Sequence, residues 1–283
     1  MKRRFEGLAE MVARTSAMLR KEQVSAVVPQ AATIGHVYDQ RLQWYSTLLD
    51  DYYGHSNFWN WGYWDAGTTN QREACENLME KLLSFIPKKQ GQILDVACGP
   101  GATTRYLLKY FKPENVTGIN IGEKQLQICR KNAPDCTFLQ MDATELEFRD
   151  NSFDSIICVE AAFHFDTREK FVHEAYRVLK PGGYLVLSDI LMSRRTPHQP
   201  EANYTKNLEE YEKLFLYAGF KNVTIIDATE ECWKRHLRYR QRYIAKNLFR
   251  GEFGIGTHRW LVATILMTIR AVNYYVLASA GKP

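Results

Sequence analysis

Two residues four apart, Glu160 and His164, follow directly on the apolar run 155–159, and a third, Asp189, closes the apolar run 185–189. An imidazole titrates near neutral pH and can take a proton from a reacting group. A histidine among aromatics, as in Phe163-His164-Phe165, also fits a structural role, so this trio needs a binding site beside it to mean catalysis. One is supplied by Asp95-Val-Ala-Cys-Gly-Pro-Gly101, where an apolar strand runs into an acid and then a glycine-bearing turn. Gly99 and Gly101 let the backbone turn tightly and approach a ligand that a Cβ would push away. A dinucleotide loop would show a third glycine as G-x-G-x-x-G, but Gly101 is followed by Ala-Thr-Thr, so the turn suits a ligand without a pyrophosphate, or plain strand-to-helix packing.

Further polar groups end other apolar runs. Gly118-Ile-Asn120 places an amide after the second, with Ile121 and Gln125 behind it, and Gln140-Met-Asp142-Ala143 ends the third. An Asp facing an exocyclic amine, beside a thioether under a ring, is what an adenine pocket needs, although an Asp after a strand also serves as a turn former.

The elements that must position these groups alternate. Strands are expected at 93–96, 115–120, 137–140, 155–159 and 184–189, with helices at 70–86, 102–110, 123–132 and 167–179. Crossovers of that length make a parallel, doubly wound sheet, whose ligands lie beyond the strands' carboxyl ends where the strand order reverses. A helix at 208–218, a strand at 221–227, a basic helix at 230–250, an apolar helix at 258–270 and a strand at 273–279 complete the chain. The aromatic segment 51–65 is too irregular for either element and reads as a packing knot or as the wall of a ligand site. Residues 1–28 read as a basic amphipathic helix, lying against the protein, free in solution or on a membrane.

Asp95–Gly101 resembles motif I, D-x-G-x-G-x-G, of the class I S-adenosylmethionine-dependent methyltransferases, with Ala97 in place of the first glycine. The resemblance covers the chain from about residue 60 to its end. It implies an α/β fold: a doubly wound, seven-stranded Rossmann-like sheet with an antiparallel last strand, in a methyltransferase domain over 71–283; an N-terminal helical and aromatic lid over residues 1–70 and a helical cap insertion at about 229–270 are expected beside it, the cap and the first ~30 residues not being specified by the resemblance. Asp95, Ala97, Cys98, Gly99 and Gly101 would hold the amino-acid end of S-adenosylmethionine, and of the product S-adenosylhomocysteine. Asn120 stands where the family usually has a carboxylate for the ribose hydroxyls; a neutral amide makes the weaker hydrogen bond, and G-x-N-x-x-x-x-Q is how the tocopherol methyltransferases spell it, with Gln125. Ile121, Asp142 and Ala143 would complete the pocket. Gly62-Tyr63-Trp-Asp is similar to a segment that closes over the cofactor's methionine end in small-molecule methyltransferases, which gives Tyr63 a place there. Glu160-x-x-x-His164 is similar to the E-S-x-x-H element of rebeccamycin-type sugar O-methyltransferases, which makes His164 the base, Asp189 its helper and Glu160 a neighbour of the sulfonium. The catechol type uses an Asp-Asn pair and Mg²⁺ after this strand; Asp189 is followed by Ile, so no metal is expected.

Composition sets bounds on this reading. A hydrophobic fraction of 45% and a charged fraction of 24% are those of an ordinary globular protein, and six cysteines without a C-x-x-C pair fit buried thiols in a reducing compartment. The net charge of +5 resides mainly in residues 1–21 and 233–250. Arginines interleaved with tyrosines in the second stretch fit RNA binding or one solvated face of an amphipathic helix, and Leu237, Tyr243, Ile244 and Leu248 supply the opposite face. Polar residues interrupt 260–277 below the about 18 apolar residues of a membrane span, and no signal peptide is seen. The expectation is a cytoplasmic O-methyltransferase of a small or medium apolar metabolite, with no nucleic acid and no stable membrane insertion, its oligomeric state open. C- or N-methylation of a small molecule, a nucleic-acid methyltransferase, and a binding protein without turnover are the rivals.

Overall fold

A computed structural model describes residues 49–193, 201–252 and 255–283. The amphipathic reading of residues 1–28 lies outside the described residues.

Seven strands form one sheet in the order β3-β2-β1-β4-β5-β7-β6. β1 (Ile93–Val96), β2 (Val116–Asn120), β3 (Thr137–Gln140), β4 (Phe153–Val159) and β5 (Leu179–Met192) run parallel, while β7 (Val272–Gly281) lies antiparallel between β5 and β6 (Lys221–Asp227). All four residues of β1 are buried, as a central strand covered on both faces requires. β1 pairs with β2 on one side and β4 on the other, so the strand order reverses at its carboxyl end. That reversal opens a crevice there.

Three of the helices start at a side-chain cap. α1 (Gln71–Leu83) is capped by Asn70, whose side chain accepts from the Glu73 N–H, and buries Ala74, Cys75, Leu78 and Leu82 on one face. α2 (Ala102–Leu107) and α3 (Glu123–Asn132) follow β1 and β2. Thr167 caps α4 (Arg168–Val178) and Asn207 caps α5 (Leu208–Ala218), which Gly219 ends at φ 105°. α6 (Arg235–Phe249) and α7 (Ile255–Ala271) lie between β6 and β7 and pack together through Ile244, Leu261 and Ile265.

Several element boundaries differ from expectation. β5 begins at Leu179, five residues early, because the pairing of Phe153 with Leu179 resumes across a bulge before Ser155. α2 stops at Leu107 and not at 110, and the helix expected from 230 opens as a wider π turn over Thr229–Lys234. Among the described residues no helix is long and apolar enough to cross a membrane.

Candidate active site

A cavity of about 430 Å³ opens beyond the carboxyl ends of β1, β2 and β4. Its wall includes Ala97, Cys98 and Gly99 after β1, Asn120 and Ile121 after β2 with Gln125 of α3, and Asp142 and Ala143 after β3. Glu160 and His164 follow β4 into the same cavity.

The turn after β1 is held open by left-handed backbone at Ala97 (φ 57°) and Gly99 (φ 55°). A Cβ on Gly99 would meet only Gln125 Oε1, at 3.9 Å, so it would stand in the cavity itself. Gly101 has a different task. Its φ is 88° and a Cβ would strike Cys129 at 3.0–3.2 Å, so this glycine lets α2 lie against α3 and does not line the cavity. Cys98 and Cys129 face one another there with their sulfurs 3.8 Å apart.

Asp95 also acts from behind the cavity wall. Its Oδ2 accepts from Thr103 Oγ1 at 2.7 Å and Thr104 Oγ1 at 2.6 Å, while its buried Oδ1 has no partner. Burial raises its carboxyl to about 6 against the pull of the two hydroxyls. A buried acceptor left without a donor beside a turn whose Cβ space is empty is what a polar, hydrogen-bonding ligand would complete. The residues therefore fit the amino-acid end of the cofactor that the sequence resemblance implies. Asn120 keeps part of its capacity occupied: Oδ1 accepts from the Gly122 N–H at 3.0 Å and Nδ2 donates to Gln125 Oε1 at 3.3 Å. Asp142 Oδ1 accepts from the Thr144 N–H and hydroxyl, both at 2.8 Å, so its turn-forming role is realised in the cavity wall.

Tyr63 does not line the cavity. The segment before α1 does reach it, but through Asn57, Phe58, Trp59, Asn60 and Trp61. The reason is Gly62, whose φ of 77° and close approach to Ala74 turn the chain away, so that the Tyr63 N–H donates to Ala74 O and Trp64 packs on Tyr239 at 4.6 Å. The aromatic segment is thus both readings at once, cavity wall up to Trp61 and packing knot after it.

Glu160 sits at φ 50° directly after β4, with Oε1 accepting from the Trp61 N–H at 2.6 Å and the Tyr275 hydroxyl at 2.5 Å. Burial pushes its carboxyl up to about 8, opposed by those two donors. Trp61 in turn lies 4.4 Å from Trp233 and stacks on His236 at 5.7 Å, linking the cavity wall to α6. His164 ends a short 3-10 turn, Ala162–His164, and is exposed, with its ring 3.8 Å from that of Phe163.

Asp189 does not join His164. It is fully buried, absent from the cavity wall, and its carboxylate accepts from Arg168 Nε at 2.6 Å, the Tyr211 hydroxyl at 3.0 Å and the Ile190 N–H at 2.8 Å. Alternation along β5 explains this: Asp189 faces α4 and α5, and its neighbour Ile190 faces the cavity. Arg168 completes the knot by donating to Ile190 O at 2.8 Å and to Asn203 O. Sequence reasoning missed Arg168, Tyr211, Trp61 and Tyr275, whose partners are 21 to 115 residues away in the chain. Only the aromatic segment around Trp61 carried a signal. Among the described residues no three His, Cys, Asp or Glu side chains are grouped to hold a metal ion.

Known proteins resemble this chain in sequence and in fold. Residues 94–187 match the family described as a methyltransferase domain. The chain is 28% identical over 256 residues to the erythromycin 3''-O-methyltransferase of Saccharopolyspora erythraea, covering 79% of this chain and 83% of that protein. It is 33% identical over 171 residues to the 27-O-demethylrifamycin SV methyltransferase of Amycolatopsis mediterranei, covering 58% of this chain and 60% of that one. The solved phosphoethanolamine N-methyltransferase 2 of Haemonchus contortus, in complex with S-adenosyl-L-methionine, superposes with a TM-score of 0.61 at 25% identity over 73% of this chain. This chain spans about half of that protein, 52% of its length.

Proposed function

We infer that this chain, a class I S-adenosylmethionine-dependent methyltransferase by its fold, its matched domain and its relatives, transfers the methyl group to a hydroxyl of a small or medium apolar metabolite. The observation that carries the reading is His164: an imidazole lining the same cavity as the glycine turn, together with the apolar side chains of Phe58, Trp61, Phe163, Ile190 and Met192. Erythromycin and rifamycin methyltransferases, whose names specify O-methylation or a demethylated oxygen, are the relatives that favour a hydroxyl.

S-adenosylmethionine supplies an already activated methyl group when bound. What the protein adds is position and proton removal. Ala97, Cys98 and Gly99 would hold the cofactor's amino-acid end, with Asp95 steadying the turn behind them, while Asn120, Gln125 and Asp142 would face its sugar and base. The apolar wall excludes water and aligns the acceptor, which turns a bimolecular encounter into a geometrically prepared one. His164 takes the hydroxyl proton as attack proceeds, with Glu160 a second acid-base group in the same wall. Asp189 stabilises the fold behind β5 and takes no part in the proton transfer.

The test is incubation of the purified protein with isotopically labelled S-adenosylmethionine and a panel of apolar hydroxylated macrolides, ansamycins and phenols, followed by mass analysis. Label on oxygen supports the reading. Label only on carbon or nitrogen, across acceptors offering all three, overturns it, and cofactor binding without any labelled product makes the chain a binding protein.

A further inference from the structure

On the far side of the aromatic knot, the loop before α1 and the flank of α6 enclose an open groove of about 520 Å³ with Trp64, Asp65 and Thr68 on one wall and Arg235, Arg238, Arg242 and Lys246 on the other. The four cations recur every three or four residues, so they share one face of α6, and Phe249 continues the same row. Along the helix this row extends roughly 20 Å. α6 carries five cations and no carboxylate over its whole length.

The two ends of the row differ. Arg235 donates to Trp64 O at 2.6 Å, and Arg238 is paired with Glu230 at 2.5 Å, so the first turn is locally satisfied. Arg242 and Lys246 are exposed and, among the described residues, no carboxylate pairs with either. Beyond them Phe249 is 89% exposed, the most exposed of the described large hydrophobic side chains, and on the adjoining α7 Leu266 is 56% exposed. An apolar ring standing exposed beside two cations that no carboxylate among the described residues pairs is the arrangement of an interfacial helix. The cations attract an anionic lipid surface and the ring enters the boundary between headgroups and acyl chains.

We propose that the face formed by Arg242, Lys246 and Phe249 docks this protein on an anionic phospholipid bilayer. Nucleic acid is the other polyanion such a row would meet, and the rings decide between them. Trp64 and Tyr239 are packed on each other at 4.6 Å and Tyr243 on Tyr52 at 5.0 Å, so the groove's aromatics are engaged and do not offer faces to bases. The ring left outside, Phe249, is at the apolar end of the row, where an acyl layer takes it and a phosphate backbone does not. Docking of this kind would bring an apolar acceptor, which partitions into lipid, to the enzyme, but the docking itself stands without any acceptor.

The experiment is co-sedimentation of the full chain with vesicles of phosphatidylcholine alone and of phosphatidylcholine with phosphatidylserine at about 3:1, at about 0.1 M salt. Binding to the mixed vesicles only, weakening as salt rises, is the expected result. R242Q and K246Q should each weaken it about fivefold and the double variant about 25-fold, from the usual contribution of one cation near such a surface. Phe249→Ser should weaken it at unchanged salt dependence, while affinity for S-adenosylhomocysteine and the melting temperature stay at wild-type values in all variants. Equal sedimentation of wild type and double variant overturns the proposal, since another part of the chain then makes the contact. So does failure of the wild type to bind the mixed vesicles while it shifts a DNA or RNA duplex in a way the double variant does not.

Discussion

The hydroxyl of Tyr275, from the middle of β7, donates to Glu160 Oε1 at 2.5 Å at the end of β4, so the last strand of the chain holds a cavity carboxyl and opposes the rise that burial imposes on it. Burial raises Glu160 to about 8 from an ordinary 4.5, so at neutral pH the folded protein without ligand holds a proton there that the unfolded chain has lost. The sign of the pH dependence follows. Below about 4.5 both states are protonated; between that value and about 8 only the unfolded state ionises, so stability falls as pH rises and levels off above about 8. Glu160→Gln should flatten that decline in melting temperature between pH 5 and 8, as measured by calorimetric unfolding. An undiminished decline in the variant would place its source elsewhere.

If Glu160 faces the cofactor's sulfur as proposed, it should distinguish the two forms of the cofactor. S-adenosylmethionine carries a sulfonium cation and S-adenosylhomocysteine a neutral thioether, and a cation close to Glu160 favours its ionised form. Binding of S-adenosylmethionine near pH 7 should therefore release a proton that binding of S-adenosylhomocysteine does not. Calorimetry in two buffers of different ionisation enthalpy reads this directly. Tyr275→Phe, which removes a donor to the ionised form, should move the pH of greatest release upward.

The two glycines of the turn should separate in their effects. Gly99→Ala puts a Cβ into the cavity at a left-handed φ, so affinity for S-adenosylhomocysteine should fall by tenfold or more with a modest loss of stability. In Gly101→Ala the new Cβ meets Cys129 and the backbone is again left-handed, so the loss should be of folding stability, about 1–3 kcal/mol by denaturant titration. Equal loss of ligand affinity at equal stability in both variants would contradict the division of roles.

Asp189 and Arg168 form a buried pair, with side-chain exposures of 0% and 4%. Removing one partner leaves the other's charge buried and uncompensated, which costs about 3–5 kcal/mol. Asp189→Ala should accordingly unfold at much lower denaturant, while the fraction that remains folded keeps kcat within a few-fold of wild type. A large drop in kcat at unchanged stability would return Asp189 to the reaction.

What the sequence disclosed depended on how local the cause was. β1, β2, β3 and the turn after β1 were legible because apolar runs and glycines act over a few residues, and the ends of β1, β2 and β4 led directly to Gly99, Asn120 and Glu160. Asp189 was misplaced because strand alternation decides which face a residue takes, and a run buried on both faces shows no alternation in its composition. Tyr63 was misplaced because a motif of four residues does not reveal that Gly62 closes on Ala74. Tyr275 was invisible as a partner of Glu160 since their contact needs the antiparallel register of β5 with β7, 115 residues on.

The base itself can be tested apart from binding. An aliphatic hydroxyl is far too weak an acid to be ionised at neutral pH, so its proton must leave as the oxygen attacks, and a positioned base typically contributes roughly 10²–10⁴-fold. His164 is exposed on the cavity rim and belongs to a short 3-10 turn, so its replacement leaves the sheet and the glycine turn intact. His164→Ala should lower kcat by about that factor and leave affinity for S-adenosylhomocysteine unchanged, the pattern of an interaction made chiefly in the transition state. Glu160 lies in the same wall, so the double change with Glu160→Gln settles how they share the proton. If His164 alone accepts it, the double variant is little slower than His164→Ala; if the two act in parallel, it is slower by a further comparable factor. Near-wild-type turnover of His164→Ala with the true acceptor would make His164 a surface residue of the rim and leave Glu160 as the group to take the proton.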